Sequence, residues 1–130
     1  MDLEKRTVIF GFHDQQTRSS MKEYLEAGDY KIKEADNLEA MKKLITENPH
    51  SVGYWMDTNF GVHNDSNPSS SVEIYKIVED RVKAGKAMFL ASSSNKKAVQ
   101  AAIEAGIPQE YVLQRPFDMK PLLQKLNEIQ

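Results

Sequence analysis

Cysteine is absent from the 130-residue chain, so neither a disulfide framework nor a thiolate metal site is open to it. The fold must rest on an apolar core. A chain of 130 residues suffices for one core without staples and leaves little room for a second. Residues 1–130 therefore read as a single domain. Long apolar runs are missing too: no stretch approaches the length needed to cross a bilayer, and the opening segment is too short in apolar residues for a secretion signal. Nor does charge of one sign dominate. Seventeen basic residues against 19 acidic ones give a net charge of −2, mixed along the chain without a basic stripe. Nucleic-acid binding therefore starts from a weak position. These absences lead us to expect a cytoplasmic protein with neither a membrane nor a nucleic-acid partner.

What is present alternates. Thr7 to Phe12 is a short β-rich apolar run. Met21, Tyr24 and Leu25 follow at helical spacing, with Gly28 as the stop. Tyr30 to Glu34 alternates like a strand. Asp36 and Glu39 are spaced as a capping box before the stripe Leu38, Met41, Leu44 and Ile45, which Asn48-Pro49 ends. Val52 to Met56 is a third strand, stopping at Asp57. A polar loop then runs from Thr58 to Ser71. A second capping box, Ser70 and Glu73, opens a helix with the face Ile74, Ile77, Val78 and Val82, closed by Gly85. Ala87 to Ala91 is a fourth strand, ending in Ser92, Ser93 and Ser94, and Ser94 is the simplest cap for the next helix. That helix carries Ala98, Ala101, Ala102 and Ala105 up to Gly106. Tyr111 to Gln114 is a fifth strand. Asp118 then caps a last helix with Leu122, Leu123, Leu126 and Ile129.

Five strands alternating with five helices predict a three-layer α/β fold: a doubly wound, five-stranded parallel sheet covered on both faces. In such sheets the working site lies beyond the carboxyl ends of the strands. Four places qualify: Phe12-His13-Asp14, Asp57-Thr58-Asn59, Ser92-Ser93 and Arg115. Asp57 ends an otherwise apolar strand, where a half-sheltered carboxylate can attack phosphorus and become an aspartyl phosphate. That chemistry needs positive charge to offset the phosphoryl oxygens. Magnesium would take hard oxygen ligands, which Asp57, Asp14 and the carbonyl of Asn59 could supply. Arg115 could provide the cation, and Ser92 could hydrogen-bond a phosphoryl oxygen. His13 is open to a softer metal or to a pH-sensing role.

This constellation resembles the receiver domains of bacterial and archaeal two-component systems, over nearly the whole chain from Thr7 to the final helix. The resemblance implies the strand order 2-1-3-4-5. It also implies that Asp57 is the phosphoacceptor, with Ser92 the hydroxyl and Arg115 the cation of an Arg115-Pro116-Phe117 motif whose X-Pro bond is cis. A sensor histidine kinase or phosphotransfer protein would be the donor. A downstream protein would read the face made by helix four, strand five and helix five. Such a domain is a signalling module and not an enzyme. The departures are specific. The family's acidic pair falls on Phe12 and His13 when counted from the first helix, or on His13 and Asp14 after a one-residue shift. Either way one acid is missing, so Mg2+ is held weakly or not at all. Arg replaces Lys at position 115, which keeps the charge and changes its reach. The loop after Asp57 is long, and Val112 stands where the family's switch aromatic belongs, with Tyr111 one residue earlier.

Two other readings stand beside the phosphorylated receiver. One is a pseudo-receiver, an interaction module that keeps the fold without the phosphate switch. The other is a small flavodoxin-like cofactor-binding protein, which would need a phosphate-cradling loop after strand one. Residues Gly11 to Thr17 offer one Gly and one Thr, a poor match.

Overall fold

The computed structural model describes residues 6–64 and 66–129. Its elements alternate: β1 Arg6–Gly11, α1 Gln15–Ala27, β2 Tyr30–Ala35, α2 Leu38–Glu47, β3 Gly53–Asp57, α3 Ser69–Lys83, β4 Met88–Ser93, α4 Lys96–Glu104, β5 Val112–Gln114 and α5 Met119–Asn127, with a 3-10 turn over Gln109–Tyr111. The strands form one sheet in the order β2-β1-β3-β4-β5, every pair parallel. The expected doubly wound topology is therefore the one observed.

Each face of the sheet buries its own core. Val8, Phe10 and Trp55 face Met21 and Leu25 of α1 and Leu122 and Leu126 of α5. Ile9, Tyr54 and Phe89 face Met41 and Ile45 of α2, Ile74 and Val78 of α3, and Ala102 of α4. Alternation along β1 and β3 thus sends successive side chains to opposite layers. Trp55 is fully buried and stacks on Phe10 with ring centroids 6.1 Å apart. The bond Arg115–Pro116 is cis.

Several local expectations need correction. The cap of α2 is Asn37, whose side chain accepts from Ala40 N, because Leu38 at the head of the apolar stripe is already helical; Asp36 lies one residue too early. Ser70 does not cap α3. The helix begins at Ser69, Pro68 stands at its N-cap without a side-chain bond, and Ser70 is buried in the first turn. Ser71 Oγ instead donates to Thr58 O at 2.7 Å, tying α3 to the end of β3. β4 runs on through Ser92 and Ser93, so the cap of α4 falls on Asn95 and not on Ser94. Ile77 leaves the α3 core face and is 50% exposed, its place being taken by Tyr75. Tyr111 belongs to the 3-10 turn, and β5 begins at Val112. Asp118 caps α5 as expected, accepting from Lys120 N.

Candidate functional site

The parallel register carries the predicted residues to one edge of the sheet. Gly11 pairs with Met56, Asp57 with Ser92, and Ser93 with Gln114. The residues just past these positions therefore meet over the carboxyl ends of the three central strands. Asp57 sits at the centre, only 3% exposed. A carboxylate at that depth requires partners for both oxygens, and it has them. Arg115 Nη1 donates to Oδ1 at 2.8 Å. The backbone N–H of His13 donates to Oδ2 at 2.6 Å. Ser92 Oγ lies 3.5 Å from Arg115 Nη1, at the outer limit of a hydrogen bond. Asp57, Ser92 and Arg115 thus converge as the sequence suggested.

His13 completes the enclosure. Its Nε2 accepts from Gly61 N at 2.6 Å, which requires that nitrogen to be unprotonated. The ring proton therefore resides on Nδ1, 3.4 Å from Asp57 Oδ2. Phe60 packs beside the ring, centroids 5.4 Å apart. Gly61 takes φ +78°, the left-handed region that glycine enters at no steric cost, and so directs its N–H at the imidazole.

Phe12 is buried in the α1/α5 layer, its ring 5.9 Å from the Arg115 guanidinium carbon. Asp14, two residues later, is the N-cap of α1. Its Oδ2 accepts from Thr17 N at 2.9 Å and Thr17 Oγ1 at 2.6 Å. Those bonds from Thr17, with a smaller contribution from the Arg115 charge, hold the Asp14 carboxyl below its ordinary value.

Whether magnesium suits this pocket is a question of donors. The ion asks for near-octahedral oxygen ligands. The pocket offers one carboxylate whose two oxygens already accept from Arg115 and His13. Of the other two expected ligands, Asp14 has its Oδ2 engaged by Thr17 as the N-cap of α1, and the Asn59 carbonyl accepts from Val62 N at 2.9 Å in the turn that opens the loop. Where the second acid would stand, His13 presents nitrogen. No group of three or more His, Cys, Asp or Glu positioned to hold a metal occurs among the described residues. The residues present do not fit magnesium.

Sequence reasoning missed the Phe12–Arg115 contact, the His13–Gly61 bond and the crowding at Gly11. A Cβ at Gly11 would lie 2.7 Å from Met41 Sδ and 2.9 Å from Phe60 Cδ2. A glycine inside the β-rich run Thr7 to Phe12 was the one available signal of that close approach.

No protein-family model matches the chain, and neither does any curated protein. Solved structures do match. The signal receiver domain of an HD domain-containing protein from Pseudomonas fluorescens Pf-5 superposes with a TM-score of 0.72 at 11% identity, covering 99% of this chain and 89% of that one. A response regulator from Thermotoga maritima gives 0.64 at 18% identity, covering 96% and 97%. A response regulator protein from Burkholderia pseudomallei, solved with a phosphorylated aspartic acid, a calcium ion and citrate, gives 0.65 at 15% identity, covering 93% of this chain and 66% of that one. Among the described residues, no helix is long and apolar enough to cross a membrane. With its five parallel strands in the order 2-1-3-4-5 and these neighbours over nearly its full length, the chain has the response-regulator receiver fold.

Proposed function

We propose that this protein is a receiver-type signalling module that works through protein–protein contacts, with Asp57 kept as the anion of a closed ion-pair cage. A magnesium-dependent phosphoacceptor is the lesser reading. One observation carries this: both Asp57 oxygens are taken, by Arg115 Nη1 and by the His13 backbone N–H, while the second acid is replaced by His13. An incoming phosphoryl group would meet oxygens already hydrogen-bonded and too few hard oxygen donors for a divalent ion that would offset its charge. The readout is altered in the same direction. Val112 fills the β5 switch position, and Tyr111 packs on Tyr75 of α3, ring centroids 6.0 Å apart. In this reading the module is cytoplasmic, catalyses no reaction of its own, and passes its signal through the α4–β5–α5 face.

A second reading has its own support. Asp57, Ser92 and Arg115 occupy the positions of acceptor, hydroxyl and cation and converge within hydrogen-bond reach. A sensor histidine kinase or phosphotransfer protein would then load Asp57. The test is incubation of the purified protein with acetyl phosphate and magnesium, followed by intact-mass analysis. An unchanged mass is expected. Stoichiometric gain of one phosphoryl group, lost in Asp57→Asn, would establish the second reading instead. The flavodoxin-like alternative finds no support, because the loop after β1 spends its polar groups on the α1 cap and on Asp57.

A further inference from the structure

Beside the Asp57 cage, a cleft of about 690 Å³ opens between α1 and the turn joining β5 to α5. That volume suits a small organic molecule. Its exposed lining is mostly apolar, with Met21 and Tyr24 on one side and Phe117 and Met119 on the other, and Thr17, Ser20 and Ser94 add hydroxyls. Tyr24 is 39% exposed, one of two large apolar side chains so exposed among the described residues. It shares the helical spacing of Met21 and Leu25, which are the buried residues of α1.

Charge is confined to one end, where Asp14 and Arg115 meet the cleft. They are not equivalent. Arg115 is matched by Asp57 at 2.8 Å, and Phe12 lies beneath its guanidinium at 5.9 Å. Asp14 makes no ion pair among the described residues. Its Oδ2 serves the helix cap, and Arg115 acts on it only as a minor charge contribution at a distance, so it is the carboxylate at the cleft without a direct cationic partner. An anion entering here would meet Asp14 while the nearby cation is already engaged. A cation would find a carboxylate for its charge, aromatic rings for its near carbons and two polarizable thioethers for its body.

We propose that this cleft binds an organic cation, a small amine whose ammonium rests on Asp14 and whose aromatic or branched body lies along Met21, Tyr24, Phe117 and Met119. The assignment rests on the Asp57–Arg115 pair of the proposed function, which engages the cation of the cleft, and neither probe below reacts with or coordinates Asp57, so the cleft and the cage are tested separately.

The test is an amide NMR titration of the isotope-labelled full chain with phenethylammonium and, separately, with phenylacetate, which has a similar body and the opposite charge. Saturable shifts at Asp14, Thr17, Ser20 and Tyr24 with the amine, and none with the acid, are expected. Asp14→Asn should weaken amine binding about tenfold, because it removes the charge while keeping a side-chain oxygen for the cap. Tyr24→Ala, at an exposed position, should weaken it without affecting the core. Equal or tighter binding of phenylacetate, undiminished binding by Asp14→Asn, or no saturable shift with the amine would each overturn the proposal.

Discussion

Replacing Asp57 by Asn tests the cage through the sign of a stability change. Both carboxylate oxygens face donors, Arg115 Nη1 at 2.8 Å and the His13 N–H at 2.6 Å. An asparagine must set its NH2 against one of them whichever way the amide turns. Removing one partner of a fully buried ion pair costs about 3–5 kcal/mol. Here the Arg115 side chain keeps 18% of its surface exposed and can recover some hydration, so the cost falls to about 2 kcal/mol. At an unfolding entropy of about 2 cal/mol/K per residue, a 130-residue chain shifts by about 4 °C per kcal/mol, which gives a drop of about 8 °C in Tm. In a pocket built from clustered carboxylates the same substitution relieves repulsion and stabilises. Urea unfolding followed by circular dichroism measures the change. The double variant with Arg115→Met isolates the pair, and a coupling of about 1 kcal/mol or more is expected. An Asp57→Asn protein as stable as the parent, or more so, would refute the reasoning.

Three further outcomes follow from the geometry. His13→Asp sets a second carboxylate beside Asp57 and should create a magnesium site that the parent lacks, visible as metal-dependent amide shifts at Asp57 and Asn59. Gly11→Ala forces a methyl to within 2.7 Å of Met41 Sδ in a closed core and should cost about 1–3 kcal/mol in urea unfolding. The Asp14 carboxyl is held below its usual value of 3.8, chiefly by the Thr17 bonds, so its contribution to stability is present above the unfolded value and is lost as pH falls through the lowered folded one. Denaturation midpoints of the parent should therefore fall more steeply than those of Asp14→Asn as pH drops below about 4, and run parallel to them above it.

The fold was legible because its signals are periodic. Runs such as Val8-Ile9-Phe10 and Tyr54-Trp55-Met56 lie buried on both faces of a parallel sheet, and such runs read as continuous apolar segments. The order of chemistry-bearing residues at strand ends was legible for the same reason: a parallel register carries them all to one edge. Helix caps were less so. Asp36 and Asn37 are both competent caps, and only the phase of the apolar stripe chose Asn37. Ser70 lost its expected role because the chain enters α3 at Ser69, a choice fixed by the Ser71–Thr58 bond across 13 residues. The state of the pocket was not readable at all. Whether His13 faces solvent or Asp57 depends on its backbone N–H and on the Gly61 turn, which are long-range contacts that leave no local pattern.

The most direct measurement is an amide NMR titration of the purified protein with magnesium, then with beryllofluoride, which mimics a phosphoryl group on a carboxylate. A closed cage predicts a spectrum unmoved by either addition while the fold stays intact. Shifts centred on Asp57 and Asn59, spreading to Ser92 and Arg115, would contradict it and return the protein to the phosphorylated receivers.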